Sequence, residues 1–262
     1  MNRSPHGTGD RTQVTYAVVT MADDNRQQHV AMQKAGLERF APGTPHYRGQ
    51  LGADRNLARA RNEVARTALA DGVELLIFLD ADCIPGPDLV ARYVTAATQF
   101  PDEVLCGPVT YLDAPGPSGY QLEELTGLTD PHPARPDPPA GETRPGSDEE
   151  WNLFWSLSFA VSAATWADSG GFDEGYVGYG GEDTDFAHRL RARGRRMRWV
   201  GGAHAYHQWH PVSSPPVEHL EDILTNATRF HSIWGFWPME GWLEAFADRG
   251  LAVYRDGVWV RA

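Results

Sequence analysis

The chain has 262 residues, 41% hydrophobic and 22% charged, enough for one large α/β domain whose core needs no disulfide or structural metal. A net charge of −12 argues against the clustered basic surface of a nucleic-acid-binding protein, and no run approaches the roughly 20 apolar residues of a membrane helix. Cys83 and Cys106 fit neither a zinc spacing nor a disulfide framework, and the polar N-terminus lacks a signal-peptide core, so a cytoplasmic protein is expected.

Residues 1–12 read as a disordered tail and residues 13–262 as a single domain. Val14–Val19 is a β-rich run, followed by a capping turn and a helix from about Arg26 to Phe40. Tyr47 marks a short second strand. Asn56–Ala70 carries Leu57, Ala60, Val64, Ala68 and Leu69 at helical spacing, and Glu74–Leu79 is an apolar run too short for a helix. This order predicts an α/β fold with a parallel sheet and crossover helices. Residues 88–99 read as a helix and Val104–Val109 as a strand. Residues 113–150, crowded with Pro, Gly and acidic residues, read as a long loop, either a lid or disordered. Further elements are expected at Trp151–Ala160 and Ala163–Asp168. A helix over Thr184–Arg193, a strand over Arg196–Tyr206 and a C-terminal helix over Val217–Ile233 follow.

Asp80-Ala81-Asp82 follows the apolar strand directly, at the sheet edge where ligands of open parallel sheets bind. Paired carboxylates suit a hard divalent cation that still has room for phosphate oxygens, although the same residues also serve as turn formers. In Gly178-Tyr179-Gly180-Gly181-Glu182-Asp183, the carboxylates fall at a helix N-terminus, where simple capping would also favour them. Capping does not explain the glycine pair, and the functional reading makes Asp183 a general base and Glu182 an acceptor ligand. His204, His207 and His210 follow a strand. One imidazole joining distant carboxylates around a cation is the economical model, with His207 favoured and His210 second.

Thr20 at a strand end, Arg59-Ala60-Arg61-Asn62, Phe78–Asp82, Gly171–Glu174, Gly180–Phe186 and Tyr206-His207-Gln208 together resemble GT-A glycosyltransferases. The resemblance is to family 2-type enzymes sharing the C-terminal motif of galactosyltransferases and polypeptide N-acetylgalactosaminyltransferases, and it runs from about Val14 to Pro211. It implies a three-layer α/β/α fold, a mostly parallel sheet, and an inverting, metal-dependent transfer from a nucleotide-sugar donor to a glycan or small-molecule acceptor. The metal, Mn²⁺ or Mg²⁺, would be held by Asp82, His207 and Asp80. Thr20, Ala22, Arg61, Asp80, Ala81 and Asp82 would face the donor, with UDP expected. Asp183 would be the catalytic base, and Tyr179, Gly181 and Glu182 would meet the acceptor. The Asp-Asp-Gly-Ser-like turn that reads the base in family 2 is missing from Tyr47–Asp54, leaving Asp54 as its stand-in. The rival readings are a non-catalytic nucleotide-sugar-binding protein and a nucleotidyltransferase. Val19–Arg26 lacks the basic Gly-rich loop that the second would need.

Overall fold

The computed structural model describes residues 14–262, so the tail expected over 1–12 lies outside the described residues. The first half of the chain forms β1 (Tyr16–Ala22), α1 (Gln27–Phe40), β2 (His46–Gln50), α2 (Leu57–Ala70) and β3 (Leu75–Leu79). It continues with β4 (Cys83–Pro85), α3 (Leu89–Gln99), β5 (Val104–Cys106) and β6 (Val109–Tyr111). Next come β7 (Thr143–Pro145), β8 (Ser158–Ser162), α4 (Ala163–Ser169), α5 (Glu182–Ala192), β9 (Met197–Val200) and β10 (Ala205–His207). Two helices, α6 (Leu220–Trp234) and α7 (Glu240–Asp248), lead to a hairpin of β11 (Ala252–Arg255) and β12 (Val258–Arg261).

Seven strands build the central sheet in the order β2-β1-β3-β8-β5-β9-β7. β1, β2, β3, β5 and β9 run one way and β8 and β7 against them, so the sheet is mostly parallel. β3 lies inside this sheet. Leu76 and Phe78 enter the core shared with α2, α4 and α5, while Leu75, Ile77 and Leu79 enter the core shared with α1 and α3. Burial on both faces is why this strand reads as an unbroken apolar run. Each such Leu, Ile or Phe contributes about 1.5–3 kcal/mol on leaving water.

A second sheet, β4-β10-β6, stands at the carboxyl end of the first. It arises because two expected strands each break in the middle. Val104–Val109 divides at Gly107-Pro108, where a Cβ on Gly107 would fall 1.9 Å from the Ala203 carbonyl oxygen. Arg196–Tyr206 divides at Gly201-Gly202. Both chains thus step from the main sheet into the small one side by side, β5 against β9 and then β6 against β10.

Residues 113–150 are more structured than a bare loop. They hold a 3-10 helix (Leu122–Leu128) and the edge strand β7, and Leu125 is buried with Ile84, Leu112 and Tyr206. Arg135 lies between the rings of Trp155 and Trp199, 5.3 and 5.1 Å from their centroids. The sequence also did not lead us to expect α7 and the β11–β12 hairpin, which pack their apolar residues on α6.

Candidate active site

The turn after β3 is fixed by its backbone. Asp80 N–H donates to the Leu157 carbonyl at 2.9 Å, and Gln33 Nε2 donates to the carbonyls of Asp80 and Cys83 at 2.7 and 3.1 Å. Gln33 is buried on α1. Ala81 is buried in the turn. The chain then runs directly into β4, whose Cys83 pairs with His207 on β10. Gln208 N–H closes the link by donating to the Asp82 carbonyl at 2.7 Å. The small sheet is therefore what joins Asp82 to histidines more than a hundred residues away.

Asp82, His207 and His210 each offer a ligand atom within 4.8 Å of the others. His207 Nε2 is 3.6 Å from Asp82 Oδ1 and His210 Nε2 is 3.5 Å from Asp82 Oδ2. Burial works against the charge on Asp82, but the hydrogen bond from His210 and the charges of His207 and Arg26 hold its carboxyl at about 2. Burial pushes His207 down, toward the neutral imidazole that a metal needs. One carboxylate and two imidazoles are a suitable donor set for Mn²⁺ and less so for Mg²⁺, which prefers oxygen. His204 lies elsewhere, buried with Nε2 at 2.7 Å from Thr110 Oγ1, and its burial lowers it to about 4.

Asp80 does not join that group. Its Oδ1 is 3.3 Å from Arg61 Nη2, while Arg61 Nη1 donates to Glu182 Oε1 at 2.9 Å. Arg61 is 4% exposed and lies over the Phe172 ring at 5.2 Å. Arg61 is therefore a buried tie between the two carboxylate turns. Glu182 is likewise buried, with one oxygen engaged by this tie. Burial and the Asp82 charge raise Asp80 to about 6 against the opposing pull of Arg61.

Asp183 begins α5 beside Glu182, after Gly181 with φ at 89°. A side chain at Gly181 would be strained there, and its Cβ would stand 3.3 Å from the Tyr176 ring. Burial and the Glu182 charge raise Asp183 to about 7, opposed by Arg61 and by the Thr184 and Ser156 backbone N–H groups. A carboxyl near neutrality at a helix start suits proton abstraction.

Thr20 is buried, its hydroxyl 2.9 Å from the Leu79 carbonyl oxygen and 3.0 Å from His46 Nε2, so it braces strands. Ala22 ends β1 half-buried. Asp54 is tied to Arg59 at 2.6 Å. The Tyr179 ring stacks on His219 and Trp242 at centroid distances of 4.5 and 5.9 Å. Burial raises its hydroxyl to about 12, with the charges of Asp183, Glu182, Asp80 and Asp82 adding to the shift. Tyr179 thus stands within electrostatic reach of the carboxylates, on the turn that leads into Glu182 and Asp183. Sequence reading passed over Gln33, Arg26 and Tyr111. The Tyr111 ring lies 4.6 Å from that of His207 because β6 and β10 are parallel neighbours.

The fold recurs in solved structures. GalNAc-T7 with UDP, GalNAc and Mn²⁺ superposes with a TM-score of 0.52 at 13% identity, over 85% of this chain and 51% of that one. S. aureus TarS 1-349 in complex with UDP-GlcNAc gives 0.55 at 11% identity, over 90% and 80%. The chain has the GT-A glycosyltransferase fold. In sequence, residues 38–147 match glycosyl transferase family 2, and residues 141–211 match the N-terminal domain of galactosyltransferase. The two matches between them cover both carboxylate turns and His207. Chondroitin synthase of Pasteurella multocida is 29% identical over 59% of this chain. Validoxylamine A glucosyltransferase of Streptomyces hygroscopicus is 31% identical over 54%, and the uncharacterized glycosyltransferase YfnE of Bacillus subtilis 27% over 72%. The chain spans only 18%, 36% and 56% of these three relatives' lengths. Among the described residues, no helix is long and apolar enough to cross a membrane.

Proposed function

We propose that this domain transfers a sugar from a UDP-sugar to an acceptor hydroxyl with inversion at the anomeric carbon, in a metal-dependent reaction. The observation that carries the reading is the pairing of Asp183, raised to about 7, with a cation-ready trio of Asp82, His207 and His210 at the same edge of the sheet. The bound UDP and Mn²⁺ of the GalNAc-T7 structure and the UDP-GlcNAc of the TarS structure support the choice of donor and cofactor.

Asp183 takes the acceptor proton as the acceptor oxygen bonds to the anomeric carbon, and the bond from that carbon to the phosphate oxygen breaks on the opposite face. The Arg61 tie holds Asp80 and Glu182 on either side of this path, with Asp80 toward the donor and Glu182 toward the acceptor. Asp82, His207 and His210 would hold a divalent cation, which would supply Lewis-acid neutralisation of the leaving diphosphate. Within residues 113–150, the lid role falls to the exposed stretch 113–119.

UDP release from UDP-sugars, measured with and without Mn²⁺ and acceptor, tests the reading. Metal-dependent release that is lost in both Asp183→Asn and Asp82→Ala is expected. Retained release in both variants overturns the assignment.

A further inference from the structure

We propose that Arg26 is the protein cation that receives the donor's diphosphate beside the metal, an inference that rests on the sugar-transfer reading above. Arg26 ends the short 3-10 turn Asp24–Arg26 just beyond the carboxyl end of β1. Its Nη1 lies 3.5 Å from Asp82 Oδ2, and its side chain keeps 30% of its surface exposed. Its position is fixed from the next turns of α1. There the His29 carbonyl accepts from Gln208 Nε2 at 3.1 Å, and Gln33 holds the Asp80 and Cys83 carbonyls. The start of α1 is thus bound to both the Asp80–Asp82 turn and the His207–His210 segment, and Arg26 is where that face carries a positive charge to solvent.

Charge accounts for why a cation belongs there. The chain carries a net −12, so a donor with a diphosphate needs local positive charge to approach. Arg61 cannot supply it, because its guanidinium is buried and engaged by Asp80 and Glu182. The neighbouring acids are also occupied: Asp23 accepts from the Asn25 N–H and Asp24 from Gln50 Nε2. A phosphate oxygen that shares a cation with Asp82 lies within reach of the group already beside Asp82, and a guanidinium fork matches phosphate geometry. When the bond from the anomeric carbon to the phosphate oxygen breaks, the electron pair stays on that oxygen. The acceptor proton goes to Asp183, so the diphosphate gains one negative charge. A fixed cation at that oxygen then stabilises the transition state more than the ground state.

Calorimetric titration of the full chain with Mn²⁺ alone, with UDP plus Mn²⁺ and with uridine plus Mn²⁺ tests this in wild type, Arg26→Gln and Arg26→Lys. For Arg26→Gln, UDP affinity is expected to fall about tenfold to a hundredfold, with uridine unchanged. Binding of Mn²⁺ alone is expected to tighten about fivefold, because a like charge has left Asp82. Arg26→Lys should recover part of the UDP affinity. Unchanged UDP affinity in Arg26→Gln, or equal loss of UDP and uridine, overturns the inference. Wild-type protein that fails to bind UDP with Mn²⁺ overturns the sugar-transfer reading itself, and this inference with it.

Discussion

Asp183 couples function to stability. Its folded-state carboxyl is raised from its ordinary 3.8 to about 7, so between those values the native state keeps a proton that the unfolded chain has lost. Stability present at low pH is therefore lost as pH rises through about 7. Asp183→Asn should show a higher Tm than wild type at pH 8, with the gap closing as pH falls toward 4. In wild type the same group acts as a base only when deprotonated, so kcat should rise with pH through about 7 and then level off. Thermal melts across pH and a pH–rate profile check both trends. A Tm gap that is flat with pH would mean that the charge on Asp183 is not what strains the fold. Arg61 shows a related economy: one buried cation neutralises carboxylates from two turns, which is tolerable only because both partners are present.

At the scale of elements, residues 113–150 divide in two. Leu125 and Arg135 are buried anchors and Thr129 Oγ1 lies 2.6 Å from Tyr206 Oη, whereas residues 113–119 are exposed without such an anchor. The end of that stretch reaches the site through Tyr120, whose hydroxyl donates to the Asp113 carbonyl and accepts from Trp209 N–H, next to His210. Limited proteolysis should cut within 113–119 and be slowed there by UDP with Mn²⁺. Cleavage that ignores ligand would remove the lid role. The sequence carried α2 and β3 well, since α2 has a clear helical period with Asn56 capping it by accepting from Arg59 N–H, and β3 is an apolar run too short for a helix. It did not carry the strand breaks at Gly107 and Gly201, because a close backbone approach leaves no periodic signal. Spacing in the sequence favours His207 and puts His210 second, but it does not show whether His204 shares the role; the pairing of β10 with β4 and β6 turns His204 toward Thr110 and leaves His207 and His210 at Asp82. Tyr179 was read by its residue type, yet its ring contacts come from His219 and Trp242, which no local pattern ties to it.

Across the whole molecule, the two sides of the site are supported by different parts of the chain. β1, α1, β3 and the small sheet hold the Asp80–Asp82 turn and the histidines, whereas the turn before Asp183 leans on α6. There Asp222 Oδ2 accepts from Tyr179 N–H at 3.2 Å, and buried Asn226 Nδ2 donates to the carbonyls of Val177 and Tyr179 at 3.1 and 3.3 Å. Trp234 Nε1 reaches Asp185 at 3.0 Å, tying α6 to α5 itself. A change on α6 should therefore disturb the acceptor side and spare the donor side. Asn226→Leu removes both of these hydrogen bonds from buried Asn226 and should cost about 0.5–1.5 kcal/mol of stability for each. Transfer to acceptor is expected to drop about tenfold or more, because a shift of about 1 Å in the Asp183 turn is enough to misplace the base. UDP affinity with Mn²⁺ should stay within about twofold of wild type, since among the described residues no hydrogen bond or ion pair links Asp82, His207, His210 or Arg26 to α6. Calorimetry and transfer assays on the folded variant separate the two readouts. A parallel fall in UDP affinity would show that the site is braced as one unit, with α6 carrying the donor side as well.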